Sequence, residues 1–491
     1  MAHDSFLKEV EAVVGAAYVK TSSADVEGYS VDWKRRYFGK PLAVVLPANT
    51  EQVASIVKLA NQYRVGVVPQ GGNTGLTGAG VPDDSGTQLV LSLSRLKNVR
   101  VKDVENKTLT LEVGVTLQQV QEIADSMGLL FPLSLGAEGT ATIGGNLSTN
   151  AGGTGVLRYG NARDLCLGVE VVTATGEVWN GLRGLRKDNT GYDLRDLFVG
   201  SEGTLGIITA AVLKLFPKPA GVMTALAQVS GPKDALRLLQ IAQKRCDAAL
   251  TGFEFMVSTS TQFVVAYYPD IARFAFPIIG GGDSGLVPSD CVLLEISHPE
   301  SEQAATQMLE AVMEQAIEEG VVSDAIVAQS VTQAKAMWHM RETITIAAAD
   351  DGAQAKHDIA VPISSILTFI EQMDAELLAF YPGIRISNFG HFGDGNLHYN
   401  VAPPVALADG KSKAERHAAF NDYLAKHEDD IHKRVHDRVA GMNGSISAEH
   451  GLGVMRRDEA KRYKSPIELQ LMKTIKQALD PNGILNPDKV L

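Results

Sequence analysis

Two glycine-rich tracts restrict the fold of this chain more than any helix or strand pattern does. The first runs Pro69-Gln70-Gly71-Gly72-Asn73-Thr74-Gly75-Leu76-Thr77-Gly78-Ala79-Gly80, with five glycines between positions 71 and 80. The second runs from Pro132 to Gly153 and mixes glycine with Ser, Thr and Asn. A packed helix or strand gains nothing from such residues, because glycine costs backbone entropy and offers no side chain to bury. Successive N–H groups on such a backbone instead form a concave anion-binding surface suited to a pyrophosphate. Alone, the first tract reads more readily as a surface turn. The second tract changes that reading, since a dinucleotide lying along a backbone groove needs both.

The first tract follows a predicted β-α-β passage. Leu42 to Leu46 reads as a strand, and 50–60 as a helix with apolar Val53, Ile56, Val57 and Ala60 on one face. Val65 to Pro69 reads as the next strand. Residues 5–16 read as a short amphipathic helix. No Gly-x-Gly-x-x-Gly opens a helix with an acid about 20 residues on, so the passage is not a Rossmann nucleotide site.

A different kind of signal lies in Asn388-Phe389-Gly390-His391-Phe392-Gly393-Asp394-Gly395-Asn396-Leu397-His398-Tyr399-Asn400. Four turn formers, residues 393–396, read as a hairpin loop. That loop pairs Phe392 with Leu397 and His391 with His398, with the two imidazoles opposed on one face and Cβ atoms roughly 5 Å apart. Asn400 points the same way, two residues beyond His398. Two imidazoles on one sheet face are half of a metal site or a pair of ordinary sheet histidines, and spacing alone does not separate these. The best carboxylate to complete a metal site is Glu449, in Ile446-Ser447-Ala448-Glu449-His450-Gly451-Leu452-Gly453. A second candidate cluster is His427, His432 and His436, where the last two have the i,i+4 spacing of a zinc-binding helix. The charges around them predict an exposed helix instead.

The net charge of −12 excludes general nucleic-acid binding, which wants a basic surface. Cys166, Cys246 and Cys291 are odd in number, scattered, and without CxxC spacing, so neither a disulfide framework nor a zinc finger is expected. The N-terminus carries no secretory signal pattern, and the longest uncharged stretch, 139–157, is too polar for a membrane span. A cytoplasmic protein is the expectation. Pro217-Lys218-Pro219 reads as a domain boundary. Beyond it, helical patterns at 235–245 and 301–319 alternate with strands at 291–297 and 384–389, an α+β composition.

The glycine tracts, the block Leu185 to Leu194 and the run Phe198 to Thr209 resemble, in that order, the flavin domain of the vanillyl-alcohol oxidase superfamily, the p-cresol methylhydroxylase (PCMH) type. The histidine hairpin, Glu449-His450-Gly451-Leu452-Gly453 and the ending Asn486-Pro487-Asp488-Lys489-Val490 are similar to its D-2-hydroxyglutarate, D-lactate and glycolate dehydrogenase group. The resemblance runs from about residue 40 to the end.

It implies an α+β fold: a PCMH-type FAD-binding domain at 1–219, an α+β substrate domain at 220–440, and a segment at 441–491 returning to the flavin domain. It implies FAD held by Gln70, Gly71, Gly72, Asn73, Thr74 and Gly75, by Leu135, Gly136, Thr140, Gly144, Gly145, Asn146, Thr149, Asn150 and Gly153, and near the adenine by Gly203 and Ile207. The first tract has no His or Cys, so the FAD is expected to be non-covalent. His391, His398 and Glu449 become the ligands of a divalent metal, zinc first. His450, beside Glu449, is the candidate general base, because an imidazole can take a proton at neutral pH.

Arg341 and Thr345 stand four apart on one helix face. With Lys356 they match the positions that hold the distal carboxylate in D-2-hydroxyglutarate dehydrogenases, and Asn400 is placed to donate to a substrate carboxylate. The expected activity is oxidation of D-2-hydroxyglutarate, or D-malate, to the 2-oxo acid by hydride transfer to flavin N5. Electrons would pass to a separate acceptor such as an electron-transfer flavoprotein or a quinone, and a homodimer is the family expectation. D-lactate or glycolate oxidation is the alternative within the group, and a zinc hydrolase the alternative outside it.

Overall fold

The computed structural model describes residues 2–281 and 288–491. The chain forms two compact units. One holds Met1–Gly153, Tyr159–Lys218 and Glu449–Leu491; the other holds Thr154–Arg158 and Pro219–Ala448.

The first unit contains two main sheets. Strands β1 (Val19–Lys20), β2 (Ala43–Val45), β3 (Val67–Gln70) and β4 (Leu89–Ser92) lie in the order β1-β2-β4-β3, with β2 and β3 both parallel to β4. Parallel neighbours need a crossover, and the helix Thr50–Tyr63 links β2 to β3. Asn49 caps it, its Oδ1 accepting the Gln52 amide at 2.9 Å. The helix buries Val53, Ile56, Val57 and Ala60, the apolar face read from the sequence.

Strands β5 (Val99–Asp103), β6 (Thr108–Glu112), β8 (Cys166–Val172), β9 (Val178–Asn180) and β10 (Ile207–Lys214) form an antiparallel sheet in the order β5-β6-β10-β8-β9. A small ribbon pairs β7 (Leu129–Leu130) with β11 (Phe216–Pro217). Glu170 on β8 accepts the hydroxyls of Thr50 at 2.7 Å and Thr209 at 2.9 Å, and pairs with Arg100 at 3.0 Å. One satisfied buried carboxylate thus joins the crossover helix to the second sheet.

The second unit is built on one antiparallel sheet. Its strands are β12 (Gly221–Val229), β13 (Leu250–Met256), β14 (Asp290–His298), β15 (Asp324–Val327), β16 (Asp358–Ala360), β17 (Arg385–His391) and β18 (Asn396–Ala402), in the order β15-β12-β14-β13-β17-β18-β16. The helices Pro232–Cys246 and Glu302–Glu318 occupy the two spans that the sequence periodicity marks. Val331–Asp351 buries Met337, Met340 and Ile344 against Leu293 and Phe389 of the sheet. The three cysteines are buried and free. Among the described residues no helix is long and apolar enough to cross a membrane.

Two expectations need correction here. The hairpin loop is 392–395, one residue earlier than its turn formers suggest, and Phe389, not His391, stands opposite His398. Phe392 is the cause. Its ring is fully buried, 4.4 Å from that of Phe255, so it leaves the ladder for the core. The register moves by two residues, and a shift of two keeps every side chain on its face. His391 and His398 therefore remain neighbours, diagonal rather than opposed, with ring centroids 5.9 Å apart. The second correction concerns the helix Lys413–Gly441, which is not simply an exposed charged helix. His436 is fully buried and His432 half-buried, and both rings pack on His357.

Candidate active site

In the first unit a cleft of about 980 Å³, counting the part continuous with solvent, is walled by the two glycine tracts. Its lining includes Gln70, Gly71, Gly72, Asn73, Thr74, Gly75, Gly144, Gly145, Asn146, Thr149, Gly203 and Ile207. Leu135, Gly136, Thr140, Asn150 and Gly153, which the sequence also nominates, lie outside that lining.

The tracts meet backbone to backbone. A Cβ on Gly72 would sit 2.0 Å from the Thr140 carbonyl oxygen, so only glycine allows the approach. Gly203, at φ +72, packs on the Pro69 ring, whose Cγ would lie 2.5 Å from an added Cβ. Among the described residues the amides of Gly72, Asn73, Thr74 and Gly75 have no backbone acceptor, and the Asn146 Nδ2 and Thr142 Oγ1 atoms are buried without a hydrogen bond. Inward-facing donors on a glycine backbone suit a bound pyrophosphate.

The side chains of Gln70 and Asn73 are used structurally. Gln70 Nε2 donates to the Tyr29 and Gly80 carbonyls at 3.0 and 2.7 Å, and Asn73 Nδ2 donates to the Val31 carbonyl at 2.8 Å. These bonds bring Asp32 to the cleft wall, where its carboxylate accepts the amides of Arg36 and Tyr37 at 2.6 and 2.7 Å. Nothing local in the sequence marks Asp32. Glu202 is a second such residue. Its buried carboxylate accepts the Leu452 and Gly453 amides at 2.7 and 2.9 Å, and burial raises its pKa against those two bonds. Asn486 donates to the Glu202 and Ala79 carbonyls at 2.7 and 3.1 Å. The Val454 amide reaches the Thr77 carbonyl at 2.9 Å, and the Thr77 hydroxyl reaches the His450 carbonyl at 3.4 Å. His450 is thereby fixed beside the first glycine tract.

In the second unit the histidine hairpin gathers the other candidates. Each histidine has a carboxylate directly across the ladder. Glu254 of β13 stands opposite His391, with Oε1 against His391 Nδ1. Asp358 of β16 stands opposite His398, with Oδ1 4.0 Å from His398 Nδ1. A partner as close as Glu254 fixes an imidazole's tautomer and turns its other nitrogen outward, whereas Asp358 Oδ1 accepts the Asn396 amide at 3.0 Å.

Glu254 is fully buried and its second oxygen accepts the Arg341 Nε–H at 2.7 Å. Burial pushes its pKa up, but the neighbouring charges of His391 and Arg341 outweigh that and hold it down to about 2. Arg341 itself is buried, stacked 4.8 Å over the Phe389 ring, and its Nη groups make no hydrogen bond among the described residues.

Thr345 follows one turn later on the same helix and is exposed. Lys356 is half-buried, one residue after Ala355, which bridges to Val401 of β18. Asn400 is buried, and its Oδ1 accepts the His357 amide at 3.3 Å, which leaves Nδ2 as its donor. The amide of Ala448 donates to the Asp358 carbonyl at 3.1 Å, so the chain reaches Glu449 directly from the strand that faces His398.

Comparisons with known proteins place the chain in a family. Residues 41–181 match the family described as FAD binding domain, and residues 218–490 match FAD linked oxidases, C-terminal domain. The chain is 37% identical over 489 residues to a protein of Xanthomonas citri pv. viticola named D-2-hydroxyglutarate dehydrogenase, covering 99% of this chain and 97% of that one. It is 36% identical to the mitochondrial D-2-hydroxyglutarate dehydrogenase of Arabidopsis thaliana, covering 99% of this chain and 81% of that one.

Among solved structures, an alkyldihydroxyacetonephosphate synthase superposes with TM-score 0.73 at 19% identity, covering 99% of this chain and 84% of the other. A p-cresol methylhydroxylase superposes with TM-score 0.71 at 15% identity, covering 100% and 96%. These two show the fold, which is the PCMH type. The glycine cradle and its inward donors fit FAD. With family matches across both glycine tracts, both histidines and the C-terminal motif, this chain belongs to the FAD-linked oxidase family.

Proposed function

We propose that this protein oxidises a D-2-hydroxy acid with a second carboxylate, D-2-hydroxyglutarate first and D-malate next, to the 2-oxo acid. The observation that carries this reading is the full-length similarity to proteins named for that activity, together with a buried arginine whose Nη donors remain available beside the histidine pair. FAD, held non-covalently along the glycine tracts, supplies the hydride acceptor when bound; among the described residues no His or Cys lines that cleft.

His391, His398 and Glu449 would hold one divalent metal, zinc by the chemistry of two imidazoles and a carboxylate, and that ion would polarise the substrate hydroxyl. Glu254 supports this set by orienting the His391 imidazole, and Asp358 places a negative charge beside His398. Arg341, Thr345 and Lys356 take the distal carboxylate: the guanidinium can fork onto it, the hydroxyl donates and the ammonium adds charge. Asn400 donates to the near carboxylate, and His450 removes the hydroxyl proton. Electrons leave to a separate acceptor, an electron-transfer flavoprotein or a quinone, from a cytoplasmic homodimer. A hydrolase built on the same three ligands would have no use for the FAD-binding tracts.

Anaerobic mixing with a panel of D- and L-2-hydroxy acids tests the reading. Flavin bleaching should be fastest with D-2-hydroxyglutarate, should fall after chelation and should return with zinc. Preference for D-lactate, or bleaching indifferent to chelator, would overturn the substrate or the metal assignment respectively.

A further inference from the structure

We propose that His357, His432 and His436 form a second divalent-metal site, of zinc type, separate from the residues assigned to catalysis. The three residues offer ring nitrogens that all lie within 4.8 Å of one another. His432 and His436 sit one turn apart on the helix Lys413–Gly441, with rings parallel to within 3°. His357 meets them nearly edge-on, at 78° and 81°, from the segment leading into β16. Tetrahedral zinc with bonds of about 2.0–2.1 Å needs ligand nitrogens roughly 3.3 Å apart, so only small ring movements separate this cluster from a closed site.

The hydrogen bonding aims the His357 lone pair into the cluster. His357 Nδ1 lies 2.6 Å from the Tyr399 carbonyl oxygen, which can only accept, so that nitrogen carries the proton and Nε2 turns inward as a base. The backbone amide of His357 is itself held by Asn400 Oδ1 at 3.3 Å, which fixes the ring's origin. His432 Nε2 lies 3.5 Å from Glu428 Oε1, one turn earlier on the same helix, so a carboxylate stands beside its outer nitrogen.

The two inner nitrogens, His357 Nε2 and His432 Nδ1, then face each other at 2.8 Å. At that distance the two share a proton in an N–H···N hydrogen bond, which a metal held by both rings would replace. The third imidazole, His436, fully buried on the same helix face, favours the metal. A ring nitrogen turned inward by an outer carbonyl or carboxylate is the usual support of a metal-bound histidine. Imidazole ligands select zinc over magnesium or calcium, which prefer oxygen.

The test counts metal on the flavin-loaded protein. After chelation, desalting and titration with zinc, elemental analysis should find one more zinc per chain in the wild type than in His432→Asn, with circular dichroism confirming that the variant is folded. Independently, the His391→Ala/His398→Ala protein should still bind one zinc per chain. Binding there is expected whether or not the catalytic metal assignment holds, which keeps the two failures distinct. Equal zinc in wild type and folded His432→Asn, or no zinc on the double variant, would show that the imidazoles share only a proton, and the second site would fall. Should His432→Asn not fold, the double variant decides alone.

Discussion

Glu254 and Arg341 form a buried ion pair at 2.7 Å, with side chains 0% and 9% exposed, and the same carboxylate faces His391. One glutamate therefore ties the arginine proposed to bind substrate to a histidine proposed to bind metal. Neither the strand nor the helix that carries the pair could hold its charge alone in the core.

Breaking a buried pair from one side costs up to about 3–5 kcal/mol, and here removal of the arginine leaves the Glu254 carboxylate with only His391 to offset its charge. Arg341→Ala should lose stability of that order in urea unfolding, and adding Glu254→Gln should recover part of it. Equal losses in the single and double variants would mean that the pair does not hold these elements together.

Glu254→Gln alone should act on the metal. An amide cannot draw the His391 Nδ1 proton as a carboxylate does, and loss of such an outer partner weakens metal binding by roughly 10- to 100-fold. Competition with a chromophoric chelator measures the change, and an unaltered zinc affinity would remove Glu254 from the positioning role.

Gly72 should tolerate no side chain. Its Cβ would meet the Thr140 carbonyl oxygen at 2.0 Å, and relieving such an overlap costs about 1–3 kcal/mol while parting the two tracts. Gly72→Ala should purify with less flavin per chain, read from the 450 to 280 nm absorbance ratio. Full flavin content would show that the cradle is not formed by that contact.

His450→Asn should keep its flavin, because the bond from Thr77 of the first glycine tract goes to the His450 backbone carbonyl, which the substitution retains. Loss of a general base costs about 10²- to 10⁴-fold in rate. Anaerobic flavin reduction by D-2-hydroxyglutarate should slow by that factor, and a rate within a few-fold of wild type would assign the proton to another group.

Asp374 provides a pH signature away from the site. Burial raises its pKa from 3.8 to about 6, despite the Tyr399 hydroxyl donated to it at 2.6 Å. Between those two values the folded state binds more protons than the unfolded state, so stability falls as pH rises from about 4 to 6. Asp374→Asn keeps an acceptor for Tyr399 and removes the titration. It should gain on the wild type across that window by at most about 3 kcal/mol, reaching the full difference above pH 6. Parallel stability curves for the two proteins would place the Asp374 pKa near its ordinary value.

The sequence alone determined the features that are local or periodic. Glycine density at 71–80 and 132–153 announced a backbone-lined groove, although residues Ile143–Ser148 of the second tract form a short helix that buries Ile143 and Leu147. The apolar spacing of 53, 56, 57 and 60 located the crossover helix. The alternation that sets His391 and His398 on one sheet face survived a register shift, because a slip of two residues preserves parity.

Tertiary structure decided whatever depends on distant partners. Phe392 left the hairpin ladder for a contact with Phe255, which the turn residues could not foretell. Glu254, flanked by Phe253 and Phe255 in a buried strand, became legible only when β13 was placed against His391 and the helix Val331–Asp351 delivered Arg341. The charged helix 413–441 reads as exposed in isolation. Burial of its His432 and His436 face follows from His357, 75 residues upstream of His432, whose ring the sheet presents to them. The free energy that places these side chains comes from contacts between segments far apart in the chain, and no window along the sequence contains both halves.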